Sequence, residues 1–274
     1  MAHQHTHQHA HQHEDKVVAA NKEHYNKHEE NIPDPRWVEL ASMATALMRK
    51  QYEFKEEETA LLDFACHIGL TSRAIAPYTK LVVGVDISQT SVDLYNEAVK
   101  NQGIEPSEMR AVCTELKGVE GELDGLKFDV ITCGMAYHHF SDIDAITRTL
   151  AFFLKPGGVL FVTDRTDVKA VKADEKTSDE GGHAHAHAHA HGHDHSHGNG
   201  HGHDHGHGHG DDQGEWPEKY KAIVPHTGGF SKEHMQACFE GAGLSLEEFT
   251  PITKITMLGQ EATIFLAKAV KPSA

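Results

Sequence analysis

The sequence predicts a doubly wound, mostly parallel α/β sheet, and three observations predict it. Five short apolar runs recur along the chain, at 60–64, 81–86, 109–113, 128–133 and 159–164. Each is continuously apolar rather than alternating, as expected of a strand buried on both faces. Between them lie segments whose apolar residues recur every three or four positions, the period of an amphipathic helix. Strands and helices that alternate in this way pack as helices on both faces of one sheet.

The elements follow in order. Trp37, Leu40, Ala41, Ala44, Leu47 and Met48 mark a first helix, set off by Pro33 and Pro35. The run Ala60–Phe64 ends in a small-residue turn. A helix carrying Leu70, Ile75 and Ala76 then leads to Leu81–Asp86. A helix over 91–101 precedes the strand 109–113, and the strand 128–133 precedes a helix over 142–153. Pro156-Gly157-Gly158 turns the chain into 159–164. A last helix over 231–241 and two strand-like runs, 244–250 and 261–268, close the sequence, and two strands after a helix suit an antiparallel edge pair.

Composition sets the boundaries. Of 26 histidines among 274 residues, six lie in 3–13 and thirteen in 183–209. Residues 1–31 lack an apolar period and are expected to be disordered. The domain is expected over 33–270, interrupted by a histidine-rich disordered loop over 173–211 and followed by a tail at 271–274. Lys and Arg number 25 against 41 Asp and Glu, a net charge of −16 with histidine neutral. No basic stripe is present, which argues against a nucleic-acid partner. No apolar run approaches the ~20 residues of a membrane span. Cys66, Cys113, Cys133 and Cys238 stand singly, as buried thiols in a reducing compartment do, and a cytoplasmic location is expected.

In a doubly wound sheet, ligands bind at the carboxyl ends of the strands where strand order reverses. Asp63, Asp86 and Glu115 stand there, near the ends of the first three strands. An acid ending the second strand can accept both hydroxyls of a ribose. The turn 65–69 feeds a helix whose N-terminal N–H groups attract negative charge, but no P-loop lysine accompanies it, which argues against phosphate cradling. Capping of the following helices is the alternative role for Asp63 and Asp86.

These blocks resemble the Rossmann-like, class I S-adenosylmethionine-dependent methyltransferases. The nearest likeness is to the small-molecule branch that includes ubiquinone/menaquinone C-methyltransferase-like proteins. Leu61-Leu62-Asp63-Phe64-Ala65-Cys66-His67-Ile68-Gly69 is similar to the family's first motif, and Val83-Gly84-Val85-Asp86-Ile87-Ser88 to its second. Cys113-Thr114-Glu115-Leu116 resembles the third, and 128–133 with Tyr137-His138-His139-Phe140 the fourth. Leu154-Lys155-Pro156-Gly157-Gly158-Val159-Leu160 is similar to the fifth and the most diagnostic, and Gly229-Phe230-Ser231 and Ala242-Gly243-Leu244 resemble the last helix and strand. The resemblance implies seven strands with an antiparallel edge strand and S-adenosylmethionine as cofactor. It places Asp63, Phe64, Ala65, Cys66, His67, Gly69, Asp86, Ile87, Glu115 and Cys133 around that cofactor. Asp86 would hold the ribose, the 64–69 turn the methionine end and Glu115 the adenine side. Ala65 and His67 depart from the family, which has glycine at both positions.

Methyl transfer from a sulfonium is a direct displacement served mainly by proximity and alignment, and a base is needed only where the nucleophile must lose a proton. Candidates are Tyr137, His138 and His139 after the fourth strand, and His226 after the loop. For His138 and His139 the competing role is structural, one capping the next helix and the other packing beneath it. The small-molecule methyl acceptor itself has no motif.

The second tract alternates histidine with alanine or glycine: His183, His185, His187, His189, His191, His193, His195, His197, His201, His203, His205, His207 and His209. Imidazoles so spaced on a chain with nothing to bury can hold divalent metal ions, zinc or nickel, loosely and with variable stoichiometry. A passive repeat-expanded loop is the competing reading. The alternative function is therefore a divalent-metal-binding or buffering protein on a methyltransferase fold that has lost catalysis.

Overall fold

The computed structural model describes residues 16–27, 34–170 and 218–273. Both histidine tracts lie outside the described residues, and with them the loop expected over 173–211 and every metal ligand proposed from His183 to His209. Within the stretch expected to be disordered, residues 16–27 instead form a helix, α1. Asn21 anchors it. Its buried amide donates to Val17 O at 3.0 Å, Ile223 O at 3.3 Å and His139 O at 3.5 Å.

From residue 34 the predicted alternation is present. Asp34 caps α2 (Pro35–Gln51) by accepting from the Arg36 N–H, with Pro35 in the first turn where its missing N–H costs nothing. β1 (Ala60–Phe64), α3 (Leu70–Ile75), β2 (Leu81–Asp86), α4 (Gln89–Asn101) and β3 (Met109–Cys113) follow. Then come β4 (Phe128–Gly134), α5 (Ile143–Phe153) and β5 (Leu154–Ala170). After the undescribed stretch lie α6 (Glu218–Lys221), α7 (Lys232–Gly241), β6 (Ser245–Met257) and β7 (Gln260–Val270). Ser88, Asp142 and Ser231 cap α4, α5 and α7 through side-chain oxygens.

The seven strands form one sheet in the order β3-β2-β1-β4-β5-β7-β6. The first five are parallel. β7 runs antiparallel to both β5 and β6, so the reversed strand lies one in from the edge. Strand order reverses between β1 and β4, which opens the crevice expected of a doubly wound sheet.

Both faces are covered, which accounts for the unbroken apolar runs. Leu62, Phe64, Val83, Val85, Ile131, Leu160 and Val162 pack on one face with Leu150, Met235 and Phe239 of α5 and α7. Their strand neighbours Leu61, Val82, Val130, Val159 and Phe161 face the other way, onto Met48, Ile75, Val92, Tyr95 and Val99 of α2, α3 and α4. Alternate residues of each strand thus feed two cores. Among the described residues no helix is long and apolar enough to cross a membrane. Lys271, the first residue after β7, donates its backbone N–H to Gly158 O and its ammonium to Ala151 O and Leu154 O.

Candidate active site

The turn after β1 has an unusual backbone. Ala65, His67 and Gly69 are all left-handed, with φ of 55°, 47° and 78°. These are the three positions at which the resembled family has glycine. At Gly69 the requirement is strict, since a Cβ would lie 2.5 Å from the Tyr95 ring. A left-handed non-glycine residue costs roughly 1–2 kcal/mol, whereas glycine costs the unfolded chain only about 0.5–1 kcal/mol. Ala65→Gly is therefore expected to stabilise the chain by about 0.5–1 kcal/mol, read as a higher denaturation midpoint. His67→Gly is expected to gain less. The His67 ring meets the Tyr25 ring edge-on at 5.5 Å, and losing such a contact offsets roughly 0.5–1.5 kcal/mol.

Asp86 ends β2 and fixes this turn. Its Oδ2 accepts the His67 N–H at 2.8 Å and its Oδ1 the Ser88 N–H at 2.9 Å. Burial raises its pKa, against the pull of those N–H groups. It remains half-buried, so lone pairs are left for a ligand's hydroxyls.

Asp63 is placed differently. It is 2% exposed, with Oδ1 accepting from the Thr132 hydroxyl at 3.1 Å and Oδ2 from the Ser72 hydroxyl at 2.6 Å and N–H at 3.1 Å. It ties β1 to β4 and to α3, which corrects the expectation of a cofactor contact in favour of the capping role. Burial raises its carboxyl to about 6, against those hydrogen bonds. A folded-state value above the ordinary 3.8 means that the residue's stabilising contribution is complete below about pH 3.8 and is lost as pH rises through about 6. Stability measured from pH 4 to 7 should show this fall in the wild type, and in Asp63→Asn the fall should be absent.

Other expected cofactor residues scatter. Cys133 and Phe64 pack in the core, and burial pushes the Cys66 and Cys133 thiols well up, so neither is a reactive thiolate. Glu115 is exposed and pairs with Lys117, while the Ile87 carbonyl accepts from the Cys113 thiol at 3.5 Å.

Past β4, one 3-10 turn carries Tyr137, His138 and His139. Tyr137 is corrected from candidate base to core residue. It is fully buried, its hydroxyl donates to Thr147 Oγ1 at 3.0 Å, and burial raises its pKa well above the ordinary value. His139 is also committed. Its Nδ1 donates to Ile223 O at 2.6 Å, so Nε2 accepts from the Tyr25 hydroxyl at 3.2 Å. Burial first, and then the neighbouring His138, lowers its pKa to about 3.

His138 differs. Its Nδ1 lies 2.9 and 3.0 Å from the two oxygens of Asp164, at the point where β5 leaves the parallel sheet, and its own backbone N–H donates to Asp164 Oδ2 at 3.1 Å. Asp164 was not anticipated from sequence. Its signal was available, since it is an acid near the carboxyl end of a strand like Asp63 and Asp86. His226 lies alongside. Its N–H donates to His138 O at 3.4 Å, its carbonyl accepts from Arg165 Nη2 at 3.3 Å, and burial, then His234, lowers its pKa.

α1 closes over these groups. Tyr25 touches the rings of both His67 and His139, at 5.5 and 5.8 Å, and the Asn26 side chain accepts from the Ser88 hydroxyl at 2.9 Å. Burial, with nearby Asp86, pushes the Tyr25 phenol up to about 12. One helix therefore bridges the turns after β1, β2 and β4. Among the described residues no cluster of three or more His, Cys, Asp or Glu is arranged to hold a metal ion.

Comparison with known proteins agrees with this architecture. A family model described as a methyltransferase domain matches residues 62–160. An uncharacterized methyltransferase of Schizosaccharomyces pombe is 40% identical over 114 residues, covering 40% of each chain. A ubiquinone biosynthesis O-methyltransferase of Coxiella burnetii is 31% identical over 101 residues, covering 37% of this chain and 41% of that one. The chain thus spans about two fifths of the length of the curated relatives it matches. The crystal structure of magnesium protoporphyrin IX methyltransferase from Synechocystis with bound S-adenosylmethionine superposes with a TM-score of 0.56 at 12% identity, covering 93% of this chain and 97% of that one, which bears on fold alone. Residues 62–160 are thus similar to a methyltransferase domain and lie within a seven-stranded sheet of the same fold as that solved methyltransferase.

Proposed function

We propose that the protein transfers a methyl group from S-adenosylmethionine to a small molecule. The observation that carries this reading is the pairing of Asp86 with the left-handed 65–69 turn at the mouth of the β1–β4 crevice. Half-buried Asp86 offers two carboxylate oxygens to a ribose, and the backbone of 64–69, with Gly69 tight against Tyr95, allows the close approach that the methionine end requires. Glu115 lies on the adenine side and would exchange its Lys117 partner for the ligand. When bound, the cofactor supplies an electrophilic methyl carbon on a sulfonium. The chain's own work is to align that carbon with an acceptor and exclude water, with α1 as the cover. His67 fits this reading, because its backbone adopts the glycine-like conformation and its ring turns to Tyr25.

The unpaired described cysteines suit a reducing, cytoplasmic setting. The second histidine tract is read, on its sequence, as a loose zinc or nickel binder.

Calorimetric titration of metal-stripped protein with S-adenosylmethionine and S-adenosylhomocysteine, with and without zinc, tests the proposal. Micromolar binding of both without zinc is the expected result. Zinc binding at several sites with neither nucleoside bound would replace it with the metal-buffering reading.

A further inference from the structure

We propose that Asp164 is a positioning residue that holds His138 as a general base, and that the methyl acceptor is a hydroxyl compound of the phenol class. This rests on the methyltransferase reading above and adds the substrate class and the proton acceptor to it.

The geometry fixes the proton. Asp164 is completely buried, and among the described residues its oxygens accept only N–H groups: the His138 ring at 2.9 and 3.0 Å, the His138 backbone at 3.1 Å and the Arg165 backbone at 2.7 Å. Burial would raise this carboxyl, but the hydrogen bonds from the His138 ring and from the His138 and Arg165 N–H groups favour its ionised form, and the net shift is downward. An ionised carboxylate only accepts, so it selects the tautomer with the proton on Nδ1, and the neutral ring presents the Nε2 lone pair as a base. That nitrogen makes no hydrogen bond among the described residues. Its neighbour His139 has both nitrogens engaged and Tyr137 lies in the core, which leaves His138 as the base within the turn. Ring contacts link the site to the turn after β1. Rings run from His67 to Tyr25, His139 and His138 with successive centroid separations of 5.5, 5.8 and 4.2 Å.

The acceptor class follows from what needs such a base. A thiol near pKa ~8.5 ionises partly unaided, whereas a phenolic hydroxyl near ~10 is almost wholly protonated at neutral pH and is a weak nucleophile until a base takes its proton. In the step, His138 Nε2 takes the hydroxyl proton as the oxygen lone pair bonds to the methyl carbon. The carbon–sulfur bond breaks with its pair left on sulfur, and the imidazolium rests against Asp164 until it releases the proton to solvent.

The full-length protein, His138→Gln and Asp164→Asn are assayed at neutral pH with S-adenosylmethionine carrying a labelled methyl group. The acceptors are phenol (un-ionised), pentafluorophenol (already ionised) and thiophenol, and products are assigned by mass and NMR. Wild type is expected to give phenyl methyl ether. Both variants should lose about 10²–10⁴-fold with phenol and less than about tenfold with pentafluorophenol. A merely structural pair would lower both phenols alike, and that result overturns the proposal. So does wild-type transfer only to sulfur or ring carbon, or to none of the probes. Calorimetric binding of S-adenosylhomocysteine to all three proteins separates the two readings. If it is lost in the variants alone, the pair is structural, and if it is absent from the wild type, the methyltransferase reading itself has failed.

Discussion

Alanine at Gly229 is expected to destabilise the protein by roughly 2–5 kcal/mol. Gly229 has φ of 74°, and a Cβ there would lie 2.4 Å from the Arg165 carbonyl oxygen and 2.9 Å from its carbonyl carbon. Those are backbone atoms of a central strand, so no rotamer change relieves the contact. Left-handed strain contributes about 1–2 kcal/mol and overpacking about 1–3 kcal/mol. The consequence reaches the site. The next residue, Phe230, is fully buried and donates its N–H to the same Arg165 oxygen at 2.8 Å, and Arg165 in turn holds the His226 carbonyl beside His138. Gly229→Ala should therefore lower the denaturant midpoint and loosen the segment carrying His226. A midpoint within about 0.5 kcal/mol of wild type would show that this segment docks less tightly on β5 than the contacts imply.

The parallel half of the sheet was legible because its strands are buried on both faces and therefore uniformly apolar. β1, β2 and β3 begin and end at the predicted residues. The antiparallel half was only partly legible. β6 was expected to stop at 250 but continues to Met257. Pro251 reads as a terminator, yet on an edge strand, beside the register shift between 251 and 253, it displaces no ladder bond. β5 likewise runs past Asp164 to Ala170, because β7 pairs with it beyond the parallel sheet. That pairing is a long-range fact with no local signal.

α1 was missed for a different reason. Its inward stripe is Val17, Asn21 and Tyr25, spaced four apart as a helix requires, but only the first is aliphatic. A buried asparagine whose amide NH2 donates to carbonyls contributes docking without contributing hydropathy, so a periodicity search passes over it. In the site, the left-handed turn and Asp86 were visible as motif positions. The His138–Asp164 pair was not, since it joins two strand ends 26 residues apart through side chains that sequence order does not relate. Asp63 illustrates the opposite error. An acid at a strand end reads as a ligand group until its oxygens are found on Ser72 and Thr132.

Asp86→Ala should weaken S-adenosylhomocysteine binding by about 1–3 kcal/mol, a loss of roughly 5- to 150-fold in affinity, because the ribose hydroxyls would be desolvated without an acceptor. Part of the effect is indirect. The same carboxylate holds the N–H groups of His67 and Ser88, so its removal also frees a turn already strained at Ala65 and His67. Asp86→Asn separates the two contributions. Its single carbonyl oxygen can retain one of those N–H bonds while its amide donors face the hydroxyls, so affinity should fall nearly as far with a smaller loss of stability. Combining Asp86→Ala with Ala65→Gly, which relaxes the turn by another route, should restore denaturation midpoint but not affinity. Wild-type affinity in Asp86→Ala would remove the cofactor from the β2 end of the crevice and leave the carboxylate as the clamp on the turn that its present hydrogen bonds already make it.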